Sequence, residues 1–225
     1  MKTAKRTYRF FSFAFCFLLF ALSSGFAQSP EAGKYFAEAR AAESRNDWAT
    51  AETAYQKAIA LYPRWAEALI NLGVVFNRQN KSDEAIKTFT RATLINPRII
   101  AAWLNLGITH FRAARYLQAL APLRRAIKID ATNTQARQLL ALSFIALEKF
   151  HEATEQLETL RAANPQDAAV LLALGQSYMR LKRYDKASER LAELVKLTPD
   201  SAKARMLYGE ALDNAYESER ALLEF

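Results

Sequence analysis

Seven residues in this chain have a type and position that invite a chemical reading: two histidines, two asparagines and three arginines. His110 and His151 are its only histidines, far apart in sequence and without a spaced cluster of Asp or Glu around them. Neither a metal site nor an acid–base relay assembles from such spacing, and no glycine-rich phosphate loop is present. Cys16, the one cysteine, falls in an apolar run near the N-terminus. The inventory argues against an enzyme, and no cofactor or metal is expected. Recognition remains. Asn71 and Asn105 are separated by an interval that recurs along the chain, and a carboxamide can both donate to and accept from a partner's peptide backbone. Arg78, Arg112 and Arg180 fall on the same beat and form a candidate basic rim for an acidic flank.

That beat runs through the chain. Pro63 and Pro97 have the same separation as Pro165 and Pro199. Gly73, Gly107, Gly175 and Gly209 keep the period, with Ala141 in the skipped slot. A fixed period of about 34 residues marks stacked supersecondary units rather than one globular core. In register on the glycine, the units run 32–65, 66–99, 100–133, 134–167 and 168–201, with a partial sixth from 202 to 225. Each shows two apolar-periodic helical stretches. In the second unit these span Ala66 to Arg78 and Asp83 to Leu94, and Asn96-Pro97 ends the pair because proline lacks the N–H a helix interior needs. Ala131 takes the proline's place after the third unit, where Asp130 and Asn133 can still make the turn. The sixth unit predicts one helix, 202–215, and a short apolar tail with Leu222, Leu223 and Phe225. That tail either folds back as a cap or offers an end for self-association.

The chain has 31 basic and 23 acidic residues, a formal charge of +8. Four of the basic residues lie within residues 1–27, which hold no acid, so the remainder carries 27 against 23. This weakens any case for a nucleic-acid partner. Residues 1–27 read as a signal peptide: basic residues, the apolar run Phe10 to Leu22, then small Gly25 and Ala27 before a cut at Gln28. The expected location is exported, periplasmic or secreted. The alternative is an uncleaved anchor, with membrane contact through that segment alone.

The repeat itself resembles the tetratricopeptide family. The second unit carries its pattern as Leu69, Leu72, Gly73, Phe76, Ala85, Phe89, Ala92 and Pro97. The third has Trp103, Leu106, Gly107, His110, Ala119, Leu123 and Ala126, and the fifth has Leu171, Leu174, Gly175, Tyr178, Ala187, Leu191, Leu194 and Pro199. The resemblance implies an all-α fold, a right-handed superhelical solenoid of antiparallel helix pairs, whose first helices line a concave face. On those helices the positions three before, one after and four after the glycine share a face. They place Ile70, Val74, Leu104, Ile108, Phe111, Leu142, Ile145, Leu172 and Met179 in one apolar stripe, decorated by Asn71 and Asn105.

A contiguous apolar surface implies a protein or peptide partner, unless neighbouring first helices bury the stripe against each other. In the family's chaperone-binding members a carboxylate clamp needs basic partners around such asparagines. Here Phe36, Arg40, Ile70 and Val74 stand before them, and Ala101, Gln135 and Leu139 after, so that role is not expected. The expectation is a non-catalytic interaction module holding a peptide or helix in its groove. The alternative is a structural part of a cell-envelope assembly (secretion, pilus or polysaccharide export) joined through its ends and convex face.

Overall fold

The computed structural model describes residues 30–223, with side chains through residue 216. The described residues form eleven α-helices and no strand. In chain order they are α1 (Pro30–Ser44), α2 (Trp48–Leu61), α3 (Ala66–Arg78), α4 (Ser82–Ile95), α5 (Ile100–Arg112) and α6 (Tyr116–Ile129). There follow α7 (Thr134–Ala146), α8 (Phe150–Ala163), α9 (Ala168–Arg180), α10 (Tyr184–Leu197) and α11 (Ala202–Leu223). Odd-numbered helices are the first members of pairs and even-numbered ones the second. The chain divides into two compact units, the first ending at Ala68 and the second starting at Leu69.

In the first unit α1 packs on α2. Ala39, Ala42, Ala51 and Tyr55 are fully buried between them. Phe36 stacks on Trp65 with ring centroids 4.3 Å apart and meets Tyr55 edge-on at 5.5 Å. Asp47 caps α2 by accepting from the Thr50 N–H at 3.1 Å.

In the second unit each pair closes where a small residue meets a large one sixteen positions later. An alanine Cβ at Gly107 would fall 2.6 Å from Leu123 Cδ2, and one at Gly73 or Gly175 equally close to Phe89 or Leu191. Glycine there lets the two backbones approach, and the large side chain fills the space. Gly209 keeps the beat, yet nothing lies within 4 Å of its Cβ position among the described residues. The core groups around these crossings. One cluster centres on Leu123, Leu140 and Phe144 and the next on Leu157, Leu174 and Leu191.

The turn inside every pair is the same. Asn46, Asn80, Ala114, Glu148 and Lys182, equivalent positions in successive repeats, all have φ between 56° and 61°. Each sits just past a helix end, and paired bonds run backward around it: Arg115 N–H to His110 O at 2.9 Å and Ala114 N–H to Phe111 O at 3.0 Å, for example. This is the Schellman arrangement, in which a left-handed residue satisfies the last carbonyls of the helix. Asn tolerates that conformation; Ala, Glu and Lys adopt it at a cost.

The opposite turn after the third repeat holds without its proline, which Ala131 replaces. Trp103 Nε1–H donates to Pro97 O at 3.0 Å, and Arg137, one repeat later, donates from Nη2 to Ala131 O at the same distance. Asp130 accepts from the Thr132 N–H and Asn133 from the Ala136 N–H, so the Asp130–Asn133 turn forms as its residues predict. Pro122 lies buried inside α6 and removes one N–H from that helix.

Polar side chains join adjacent repeats. Arg115 pairs with Asp83 at 2.7 Å, Arg180 with Glu148 at 3.4 Å and Arg190 with Glu158 at 3.1 Å, each reaching back to the preceding unit. The last belongs to a cluster in which Glu158 also accepts from Arg161 at 2.9 Å and from the Tyr178 hydroxyl at 3.0 Å. Burial pushes the Glu158 carboxyl up, but its bonds from Arg161, Arg190 and Tyr178 outweigh this and hold it below the usual range. Burial, then the Glu158 carboxylate, push Tyr178 up to about 12.

One expectation is corrected at the C-terminal end. The sequence predicts a last helix over 202–215 followed by a separate tail; α11 instead runs unbroken to Leu223. Its interior from Ala202 holds no proline to stop it. The side chains of Leu222 and Leu223, and all of Phe225, lie outside the described residues, so self-association through that end, the alternative to a cap, is not addressed by them.

Two substitutions test the crossing and the turn. Gly107→Ala should destabilise the chain by about 1–3 kcal/mol through overpacking. Ala114→Gly should stabilise it by roughly 0.5–1 kcal/mol by relieving the left-handed residue. Urea denaturation followed by circular dichroism reads both.

Candidate functional site

The residues of the expected stripe all lie on first helices of the second unit. Ile70, Asn71 and Val74 are on α3; Leu104, Asn105, Ile108 and Phe111 on α5; Leu142 and Ile145 on α7; Leu172 and Met179 on α9. They are neither sealed nor open. Ile70 is buried at 9% exposure and Leu142 is exposed at 36%. Val74, Leu104, Ile108, Phe111, Ile145, Leu172 and Met179 are half-buried. Leu104, Phe111 and Ile145 pack on one core cluster, and Ile145, Leu172 and Met179 on the next. Phe111 also meets Tyr116 edge-on at 5.4 Å. Its ring therefore holds the pair together as well as contributing to the stripe.

The asparagines are less available than their spacing suggested. Asn105 is half-buried, and its amide N–H donates to Ala101 O on its own helix at 2.9 Å. Asn71 is half-buried and already engaged. A third amide, Asn77 on α3, reaches the neighbouring first helix and donates to Thr109 Oγ1 at 2.8 Å. The Thr109 hydroxyl in turn donates to Asn105 O at 2.7 Å.

Thr109 is one of three small polar residues that sequence reasoning passed over. Thr109, Ser143 and Ser177 recur once per repeat, two after the glycine slot, and are buried at 1%, 0% and 1% exposure. Ser143 satisfies itself on Leu139 O at 2.7 Å. Their period was visible; their burial depends on how near the next first helix comes.

Arg78, Arg112 and Arg180 are all exposed. Arg180 pairs with Glu148 at 3.4 Å and lies 4.8 Å over the Phe150 ring. His151 Nε2 lies 3.3 Å from Arg183 Nη2 on the exposed surface. His110 takes the slot filled by Phe76, Phe144 and Tyr178 in other repeats, and its Nδ1 is buried without a hydrogen-bond partner. Burial, then the charge of Arg115, hold its pKa below the ordinary 6.5. Among the described residues no group of three or more His, Cys, Asp and Glu could hold a metal ion.

Comparison with known proteins assigns the repeat. Two family models described as tetratricopeptide repeat match residues 36–98 and 144–211, together more than half of the chain. The chain belongs to the tetratricopeptide-repeat family. A third model, for anaphase-promoting complex, cyclosome, subunit 3, matches residues 101–160.

Solved tetratricopeptide structures share the fold. A MamA crystal structure is 20% identical, with a TM-score of 0.70 over 77% of this chain and 94% of that one. YrrB, described as a TPR protein with an unusual peptide-binding site, is 24% identical, with a TM-score of 0.68 over 80% and 90%. The Pseudomonas aeruginosa pilF structure is 19% identical, with a TM-score of 0.60 over 84% and 89%. No match was found among curated protein sequences. The fold is an all-α helical-repeat solenoid, a scaffold suited to protein–protein interaction.

The half-buried imidazole makes a pH prediction. Because His110 is held neutral when folded, the unfolded chain binds the extra proton as pH falls through 6.5. Its contribution to stability is therefore complete above 6.5 and lost as pH falls toward the lower folded value. His110→Phe should flatten the decline in stability between about pH 7 and 5, measured by denaturation at each pH.

Proposed function

We infer that this tetratricopeptide protein is an exported, non-catalytic interaction module that holds a partner's peptide or helix against the stripe on α3, α5, α7 and α9. The observation that carries the reading is the half-buried state of seven apolar side chains on successive first helices, with Leu142 exposed among them. Apolar surface left in water at this density favours a partner. The peptide-binding site named for YrrB supports the same use of the fold.

The geometry weights the mode of binding. With Asn105 donating within its own helix, apolar side chains must supply most of the hold. That suits a partner helix anchored at i, i+3/i+4 and i+7 better than a bare extended backbone.

The test is a pull-down from envelope extract with an Ile108→Glu/Leu142→Glu variant, beside Leu94→Glu, which changes a 79%-exposed residue on second helix α4. Phe111 is avoided because it braces Tyr116. Partners should be lost with the first variant and kept with the second, both variants folding normally by circular dichroism. Partners kept by both would move the site to the ends or convex face and install the envelope-structural reading.

Export rests on residues 1–27, which lie outside the described residues; no described helix is long and apolar enough to cross a membrane. N-terminal sequencing of the protein from its host should begin at Gln28. A start at Met1 in the membrane fraction would make the leader an anchor.

A further inference from the structure

The turns within pairs all lie on one edge of the second unit, since its helices alternate in direction. We propose that this edge binds an acidic, extended protein segment whose carboxylates, three residues apart, align on Lys81, Arg115, Lys149 and Arg183.

Those four residues occupy the N-cap of α4, α6, α8 and α10, and none makes a side-chain cap bond. An N-cap normally carries Ser, Thr, Asp or Asn, and a cation there faces the positive end of the helix dipole. The same chain shows it can do otherwise. Asp47 caps α2, Asn133 caps α7 and Asp167 caps α9, each accepting a backbone N–H. Four successive repeats thus give up helix stability at equivalent positions and gain a row of exposed cations.

The charge is lopsided between the two edges. The four turns at residues 79–81, 113–115, 147–149 and 181–183 hold five cations and one acid, Glu148. The four opposite turns, 96–99, 130–133, 164–167 and 198–201, hold Arg98 against Asp130, Asp167 and Asp200. At the end of the basic row a recess of about 330 Å³ is walled by Lys182, Arg183, Tyr184, Asp185 and Lys186.

Spacing selects the ligand. Arg115 bridges to Asp83 at the N-terminus of the preceding second helix, so successive cations stand roughly one helix-packing distance apart, about 10 Å. A polyproline II segment rises about 3.1 Å per residue with three residues per turn, so every third side chain returns to the same side about 9 Å further on, in register with the cations. The existing ion pairs are exposed, and pairs of that kind exchange readily because they contribute little. Interspersed acids such as Asp83 and Glu152 would repel a continuous anionic surface; a segment with spaced carboxylates can pass between them. This surface is distinct from the apolar stripe.

The probe is a labelled peptide of Glu-Ser-Ala repeated four times, titrated by fluorescence anisotropy against the full chain, with a control that gathers its four glutamates at one end. Binding should weaken with added salt. Lys149→Asp/Arg183→Asp should weaken it roughly tenfold, about what two exposed ion pairs amount to. The same change installs proper caps and should raise Tm by about 2–4 °C per site. Lost affinity in a more stable protein cannot be blamed on misfolding. Equal affinity for the control, affinity unchanged in the variant, or a variant with lowered Tm overturns the proposal. So does binding to phosphatidylglycerol vesicles with none to the peptide, which would assign the edge to a membrane.

Discussion

The structure depends on one steric allowance, a missing side chain on a first helix opposite a Phe or Leu on the second. Gly73, Gly107 and Gly175 let Phe89, Leu123 and Leu191 reach within 2.6 Å of where a Cβ would stand. Close approach fixes which faces of the two helices meet. The other face of each first helix is then turned toward its neighbours, and the stripe becomes half-covered surface as a consequence. Function in this family is what remains after the pair has closed.

Repetition carries the rest from unit to unit. Identical left-handed turns set the angle at which every second helix departs, at Asn46, Asn80, Ala114, Glu148 and Lys182. The buried Thr109, Ser143 and Ser177 are small enough to let first helices come together, and the Thr109 and Ser143 hydroxyls add bonds without adding bulk. The one aromatic slot given to an imidazole, His110, makes a half-buried position sensitive to protons.

The period and the helix pairs were legible because glycine and proline act through backbone geometry that a sequence states directly. α3 begins and ends where the residues said it would, at Ala66 and Arg78. The repeated turn was half legible: Asn46 and Asn80 advertise a left-handed residue, while Ala114, Glu148 and Lys182 do not. The state of the stripe was not legible, because half-burial depends on distances between helices that no single repeat encodes. The bond from Asn105 to Ala101 belongs with these. Its spacing suggested a ladder for a partner, and only the folded chain shows the amide turned along its own helix.

The polar bonds between neighbouring units have a bearing on how the array is assembled. A repeated sequence invites a unit to dock on the wrong neighbour, skipping or exchanging a repeat, and such misassembly is a characteristic failure of repeat chains. The glycine crossings cannot prevent it, being nearly interchangeable. The junctions can, because they carry different polar pairs: Asn77 with Thr109 and Arg115 with Asp83 between the second and third repeats, Arg190 with Glu158 between the fourth and fifth. Bringing the fifth repeat against the third would set Arg190 opposite Arg124 in place of Glu158, cation against cation. The order of the repeats is thereby written into the seams between them.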